Sequence, residues 1–142
     1  MVSASCELCV TDGGAIILRT ELLRVVAVDE AEYPGFCRVI VNAHAREMTD
    51  LDPTTLARVM AAVYAVEDAI RAVLAPDKVN VASLGNVTPH VHWHVIPRFA
   101  DDAHFPQPIW GTRQRDPAAV ALAARRARLP QLAEEIRARI AH

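Results

Sequence analysis

Three imidazoles stand at alternate positions in the run His90-Val91-His92-Trp93-His94-Val95-Ile96-Pro97. In an extended chain, successive side chains point to opposite faces. The three rings would then share one face at about 6.5–7 Å spacing, with Val91, Trp93 and Val95 on the other. A helix would scatter the same rings around its axis. Such a row admits three readings. Neutral imidazole can attack a phosphoryl centre, leaving a covalent phosphoramidate that water cleaves, while a neighbouring imidazole moves protons near neutral pH. Imidazole is also a common zinc ligand. Finally, the rings can simply satisfy hydrogen bonds, although three on one face of a Val/Trp strand speak against that. One metal shared by all three is disfavoured, because neighbours so far apart converge poorly on bonds of about 2.1 Å.

A second cluster is Cys6-x-x-Cys9. With Cys37 the thiols are odd in number, a poor disulfide framework. In a reducing compartment the pair suits metal ligation or redox work. No βαβ pattern follows it, which weakens a thioredoxin-like role. Cys37 lies in an alternating stretch and reads as a small core residue.

These residues need elements to carry them. Asp12-Gly13-Gly14 is a turn signal, and strands are expected over Ala15–Arg19, Leu23–Val28 and Cys37–Asn42. In the last, Cys37, Val39 and Val41 alternate with Arg38, Ile40 and Asn42. Asp52 is a good N-cap and Pro53 suits the first helical position. Leu56, Val59, Met60, Val63, Val66, Ile70, Val73 and Leu74 follow at helical spacing, so one long helix is expected over 52–75, ended by Pro76. Glu67 falls inside that apolar arc and reads as a carboxylate reaching its edge. Val79–Leu84 and His90–Ile96 are the fourth and fifth strands, separated by the turn Gly85–Pro89, and Pro97 is expected to stop the fifth. Arg98 then reads as a solvated residue at a strand end. Residues 101–111 are Pro-rich and irregular. Asp116-Pro117 should start an Ala/Arg-rich helix that Pro130 breaks before a last one, Gln131–Ala141, and Arg125-Arg126-Ala127-Arg128 reads as a solvated helix face. Strands and helices do not alternate regularly. The fold class is therefore α+β, with about five antiparallel strands, the long helix and C-terminal helices.

Composition bounds what such a fold can do. The chain has 142 residues, 52% apolar and 23% charged, enough for one domain with a core. Fifteen Lys+Arg against seventeen Asp+Glu give a net charge of −2, which excludes a chain-wide basic field for nucleic acid. No apolar run approaches the roughly 20 residues of a membrane span, and no signal peptide is read at the N-terminus. A cytoplasmic protein is the expectation.

The histidine run, with Pro97-Arg98 after it, resembles the histidine triad (HIT) family of nucleotide hydrolases and transferases. The likeness extends over about residues 6–111. It takes in Pro34-Gly35 before a strand, His44 followed by Met48-Thr49-Asp50-Leu51, and Asn80 twelve residues ahead of His92. Ile109-Trp110-Gly111 resembles the tail of a bacterial diadenosine tetraphosphate hydrolase-like branch. Residues 1–111 are thus expected to be a HIT domain. Residues 112–142 would be a helical extension packed on it or on a dimer partner.

The resemblance implies roles residue by residue. His92, the middle histidine, would be the nucleophile adenylylated at the α-phosphate of a dinucleoside polyphosphate or adenosine phosphoramidate. His94 would contact the phosphate and assist proton transfer near the leaving group, and His90 would orient the site or ligate zinc. Asn80 and Thr88 match positions that bind phosphate or support the site, and Asn86 is a weaker candidate beside them. Asp29 approximates the acidic residue that holds ribose hydroxyls. The loop Gly85-Asn86-Val87-Thr88 departs from the Gly-Gln-Ser/Thr-Val of many relatives. Cys6, Cys9, His44 and His90 match the ligands of a structural zinc in several relatives. A two-fold homodimer is a further implication, as is, alternatively, a non-catalytic nucleotide sensor on the same fold.

Overall fold

The structure, a computed structural model, describes residues 2–140. A short helix, α1 (Glu7–Val10), precedes β1 (Ala15–Arg19), β2 (Leu23–Ala27) and β3 (Cys37–Val41). After a 3-10 turn at Met48–Asp50 come α2 (Pro53–Leu74), β4 (Lys78–Ala82), β5 (His92–Arg98), α3 (Ala119–Arg126) and α4 (Leu129–Arg139). The strands form one antiparallel sheet in the order β1-β2-β3-β5-β4. No helix among the described residues is long and apolar enough to cross a membrane.

Alternation divides the sheet into two chemically distinct faces. Leu23 and Val25 of β2, Cys37, Val39 and Val41 of β3, and Val95 of β5 share a core with Val59, Val63, Val66, Ile70 and Val73 of α2. Trp93 packs against the same core. The opposite face carries Arg24, Val26, Arg38, Ile40, His92, His94 and Ile96, as the register requires. The long helix is fixed at both ends: Asp52 accepts the Thr55 N–H, and Ala75 closes it in the left-handed conformation at φ 46°. Glu67 is half-buried, at the edge of the apolar arc.

The C-terminal stretch joins this core. Leu132, Ile136 and Ile140 are buried with α2, and α4 packs on α2 and β1. Pro130 sits within the first two positions of α4, where no intrahelical N–H is required, so it begins the helix. The helix expected from Asp116-Pro117 instead starts at Ala119 as α3, and Asp116 pairs with Arg113 at 2.9 Å. Arg125 is no solvated residue: its guanidinium lies 3.6 Å from the Phe99 ring centroid and meets Asp101 at 2.7 Å. The expected end of the last helix, at Ala141, lies outside the described residues.

Three expectations for the fifth strand fail. It runs from His92 to Arg98, so His90 lies before it and does not share a strand face with His92 and His94, and Pro97 is inside it, paired with Val79. On the β3 side the ladder ends at Val95, so a residue lacking an N–H is tolerated there. Arg98 is 2% exposed and buried among partners. It donates to Asp102 through Nε (2.8 Å) and Nη2 (3.1 Å), to Asn80 Oδ1 (2.7 Å) and to the Gln107 carbonyl (2.6 Å).

Candidate active site and metal centre

His92 and His94 project from β5 beside one another, with ring centroids 5.0 Å apart. His90 precedes the strand, and the three are 1%, 8% and 6% exposed in sequence order. The tautomer of His92 is fixed by its neighbour. Nδ1 lies 2.6 Å from the His90 carbonyl oxygen, which can only accept, so Nδ1 carries the proton. Nε2 is left with its lone pair, as a nucleophile requires. Ser83 donates to the His92 carbonyl at 2.7 Å and anchors the same stretch.

His94 is enclosed by aromatic rings, with Phe36 and Trp110 edge-on at 5.7 and 5.2 Å between centroids. Burial, then the nearby His92 and Arg38, push its pKa down to about 4. It is therefore neutral at pH 7 and a weak base. Its cross-strand partner is Arg38. Arg38 donates to the Gly13 carbonyl at 3.0 Å and lies 5.8 Å from the Phe36 ring centroid. His94 Nδ1 and Arg38 Nε are the two buried side-chain nitrogens without a hydrogen-bond partner among the described residues.

His90 directs its ring elsewhere. Its Nε2–H donates to the Val41 carbonyl at 2.6 Å, which frees Nδ1. Around that nitrogen stand Cys6 Sγ at 3.4 Å, Cys9 Sγ at 3.5 Å and His44 Nδ1 at 3.3 Å, while Cys9 Sγ is 3.4 Å from His44 Nδ1. All four donor atoms lie within 4.8 Å of one another. Bonds of about 2.3 Å to sulfur and 2.05 Å to nitrogen give tetrahedral N···N and N···S edges of about 3.4 and 3.6 Å. The donor set therefore fits a tetrahedral zinc of the closed, structural kind in both chemistry and spacing. Arg24 clasps the segment that supplies the thiols, donating to the carbonyls of Leu8 (2.7 Å), Thr11 (3.1 Å) and Asp12 (2.9 Å). Cys37 stands apart, buried, its thiol pushed up to about 12 by desolvation.

The remaining expected site residues are dispersed. Asn80 is engaged through Oδ1 by Arg98, which leaves its amide N–H groups as donors. Thr88 accepts the His90 N–H through its carbonyl and lines a cleft with Cys6, His44 and Arg46. Asn86 is exposed on the intervening loop. Asp29 is exposed and lines a groove against Arg126, Leu129 and Leu132. Sequence reasoning missed Arg38, Phe36 and Trp110 as neighbours of His94. For Arg38 the signal was present, since an arginine on the polar side of an alternating central strand must face whatever shares that side.

The HIT domain family matches residues 13–101 of the chain. Among solved structures, a histidine triad protein from Bradyrhizobium japonicum is 27% identical with a TM-score of 0.72, each chain covered to 92%. A histidine triad protein from Marinobacter aquaeolei is 25% identical with a TM-score of 0.69, over 88% of this chain and 92% of that one. A zinc-bound histidine triad family protein from Mycobacterium smegmatis is 24% identical with a TM-score of 0.59, over 92% and 96%, and supports the fold alone. No curated protein matches the chain.

Proposed function

Because the chain belongs to the HIT domain family, we propose that it is a nucleotide hydrolase or transferase of the diadenosine tetraphosphate hydrolase-like kind. It would act at the α-phosphate of dinucleoside polyphosphates or adenosine phosphoramidates. The observation that carries this reading is the 2.6 Å hydrogen bond from His92 Nδ1 to the His90 carbonyl, which presents Nε2 as the nucleophile. Nε2 attacks the α-phosphorus. The N–P bond forms as the bond to the leaving group breaks, and the electron pair departs on the leaving atom. Water then attacks the phosphorus, the N–P bond breaks and the nucleoside monophosphate leaves. The proton of that water passes to solvent with the product, and His94, its ring centroid 5.0 Å from that of His92, would orient the water by hydrogen bonding. Asn80, Thr88 and Asn86 are assigned to phosphate binding or support, and Asp29 to the ribose.

Cys6, Cys9, His44 and His90 would hold one zinc, a reading supported by their chemistry and spacing. The metal would supply a structural tie between the N-terminal segment and the approach to β5. Three free thiols suit a reducing cytoplasm. A homodimer belongs to the same proposal, since β4 is an edge strand open on one side. Light scattering tests it.

The deciding experiment is a panel of dinucleoside polyphosphates and adenosine phosphoramidates with AMP detection. Wild type should release AMP and yield an adenylylated His92 by mass spectrometry. His92→Ala should do neither while keeping its circular dichroism spectrum. Nucleotide binding without turnover on any panel member would replace the enzyme with a sensor.

A further inference from the structure

Arg38 is absorbed neither by the zinc cluster nor by the histidine run. It sits at the centre of β3, between Val26 of β2 and His94 of β5, on the face that carries His92. A guanidinium has five N–H donors and stays charged in proteins. This one makes one hydrogen bond, to the Gly13 carbonyl, and no ion pair among the described residues. Its buried Nε has no partner, and neither has Nδ1 of the His94 directly across the ladder. Buried polar atoms are nearly always paired, so two orphans on adjacent residues of one face mark the place of a missing group. The orphan on Arg38 is a cationic donor, so that group is an anion acceptor.

We propose that Arg38 binds the anionic leaving group beside His94, so that the chain favours substrates whose leaving group is a polyphosphate over those whose leaving group is a neutral amine. This rests on the α-phosphate reading above. As His92 Nε2 bonds to the α-phosphorus, the P–O bond to the next phosphate breaks and the bridging oxygen leaves with the electron pair. The charge that develops there meets a fixed cation, which needs no proton. An amine leaving group must instead take up a proton as its P–N bond breaks. His94 is poorly placed to give one, since burial and the adjacent Arg38 keep it neutral. Geometry and protonation favour the same class.

The test compares kcat/KM on diadenosine tetraphosphate and on an adenosine phosphoramidate for wild type, Arg38→Met and Arg38→Lys. Arg38→Met should lose on the order of 10²-fold on the tetraphosphate, at least ten times more than on the phosphoramidate. Arg38→Lys keeps the charge and the aliphatic stem. It should recover part of the loss, and it decides the matter if Arg38→Met fails to fold. Equal losses on both substrates, or none on the tetraphosphate, overturn the proposal. Calorimetric binding of inorganic tripolyphosphate gives an arm independent of turnover, in which Arg38→Met should weaken binding at least tenfold and unchanged binding overturns the assignment. Should wild type turn over no nucleotide at all, the hydrolase reading falls, and the tripolyphosphate arm still judges Arg38.

Discussion

Replacing Asp102 with Ala should cost the fold about 3–5 kcal/mol at pH 7. Arg98 and Asp102 are 2% and 1% exposed, so solvent does little to screen them. The carboxylate takes Nε and Nη2 of Arg98 and the backbone N–H groups of Phe99 (3.0 Å), His104 (3.1 Å) and Phe105 (2.7 Å). Burial alone would push its pKa up. Arg98 and those N–H groups outweigh burial and pull it from 3.8 to about 2. At about 1.4 kcal/mol per pH unit, that difference is about 2.5 kcal/mol of stability. A depressed carboxylate pKa contributes fully above pH 4, and its contribution fades as pH falls through 2. The Ala variant loses this and also leaves the Arg98 cation buried without a counter-charge. Against the 5–15 kcal/mol of a typical domain, the loss is large. Urea unfolding followed by circular dichroism at pH 7 and pH 2 measures it. The gap between wild type and variant should narrow by about 2 kcal/mol at the lower pH. A gap under 1 kcal/mol at pH 7, or one that does not depend on pH, would refute the pairing as the source.

Gly35 has φ +93°, and a Cβ there would stand 2.5 Å from Leu74 Cδ1. Gly35→Ala should therefore cost about 1–3 kcal/mol, read as a lower thermal midpoint; an unchanged midpoint contradicts the crowding. His94, with a folded pKa of about 4 against 6.5, binds its proton less readily folded than unfolded. Its contribution, about 3 kcal/mol, is complete above pH 6.5 and drains away towards pH 4. His94→Gln should flatten the stability profile across that window, and a profile as steep as wild type's counts against it. Cys9→Ser should reduce zinc from one per chain to near zero by atomic emission, whereas Cys37→Ala should leave the stoichiometry alone. Retention of zinc by the first variant would remove Cys9 from the ligand set.

The parts of this fold that were legible in sequence are those in which local chemistry and tertiary packing agree. Asp52-Pro53 begins α2 because the cap and the proline suit a helix start in any context. Ala15–Arg19 matches β1 residue for residue. The cluster of Cys6, Cys9, His44 and His90 was legible because two thiols and two imidazoles have few other reasons to coincide. What failed was set by partners distant in sequence. Pro97 looks like a terminator until the end of the β3 ladder is known. Arg98 looks solvated until Asp102, Asn80 and the loop to Gln107 close around it. Four-residue α1 is too short for any periodicity, and its place depends on Arg24 gathering the Leu8 carbonyl within it and the Thr11 carbonyl just past it.

In the proposed function His90 would let two chemistries share one short segment without interfering. Its ring uses Nε2–H on the Val41 carbonyl and turns Nδ1 to the thiols and His44. Its backbone carbonyl accepts the hydrogen bond that His92 Nδ1–H donates. The side chain thus faces the thiols and His44, and the main chain faces the His92 that the proposal makes the nucleophile. Holding the ring from both nitrogens limits the rotation of the residue, and with it the direction of the carbonyl on which the tautomer of His92 depends. A carbonyl free to turn would let Nδ1 lose its acceptor and the proton exchange to Nε2, where it would quench the nucleophile. On the proposed mechanism, rigidity at His90 would therefore be a condition for reactivity at His92, although the His90 ring need never touch the substrate.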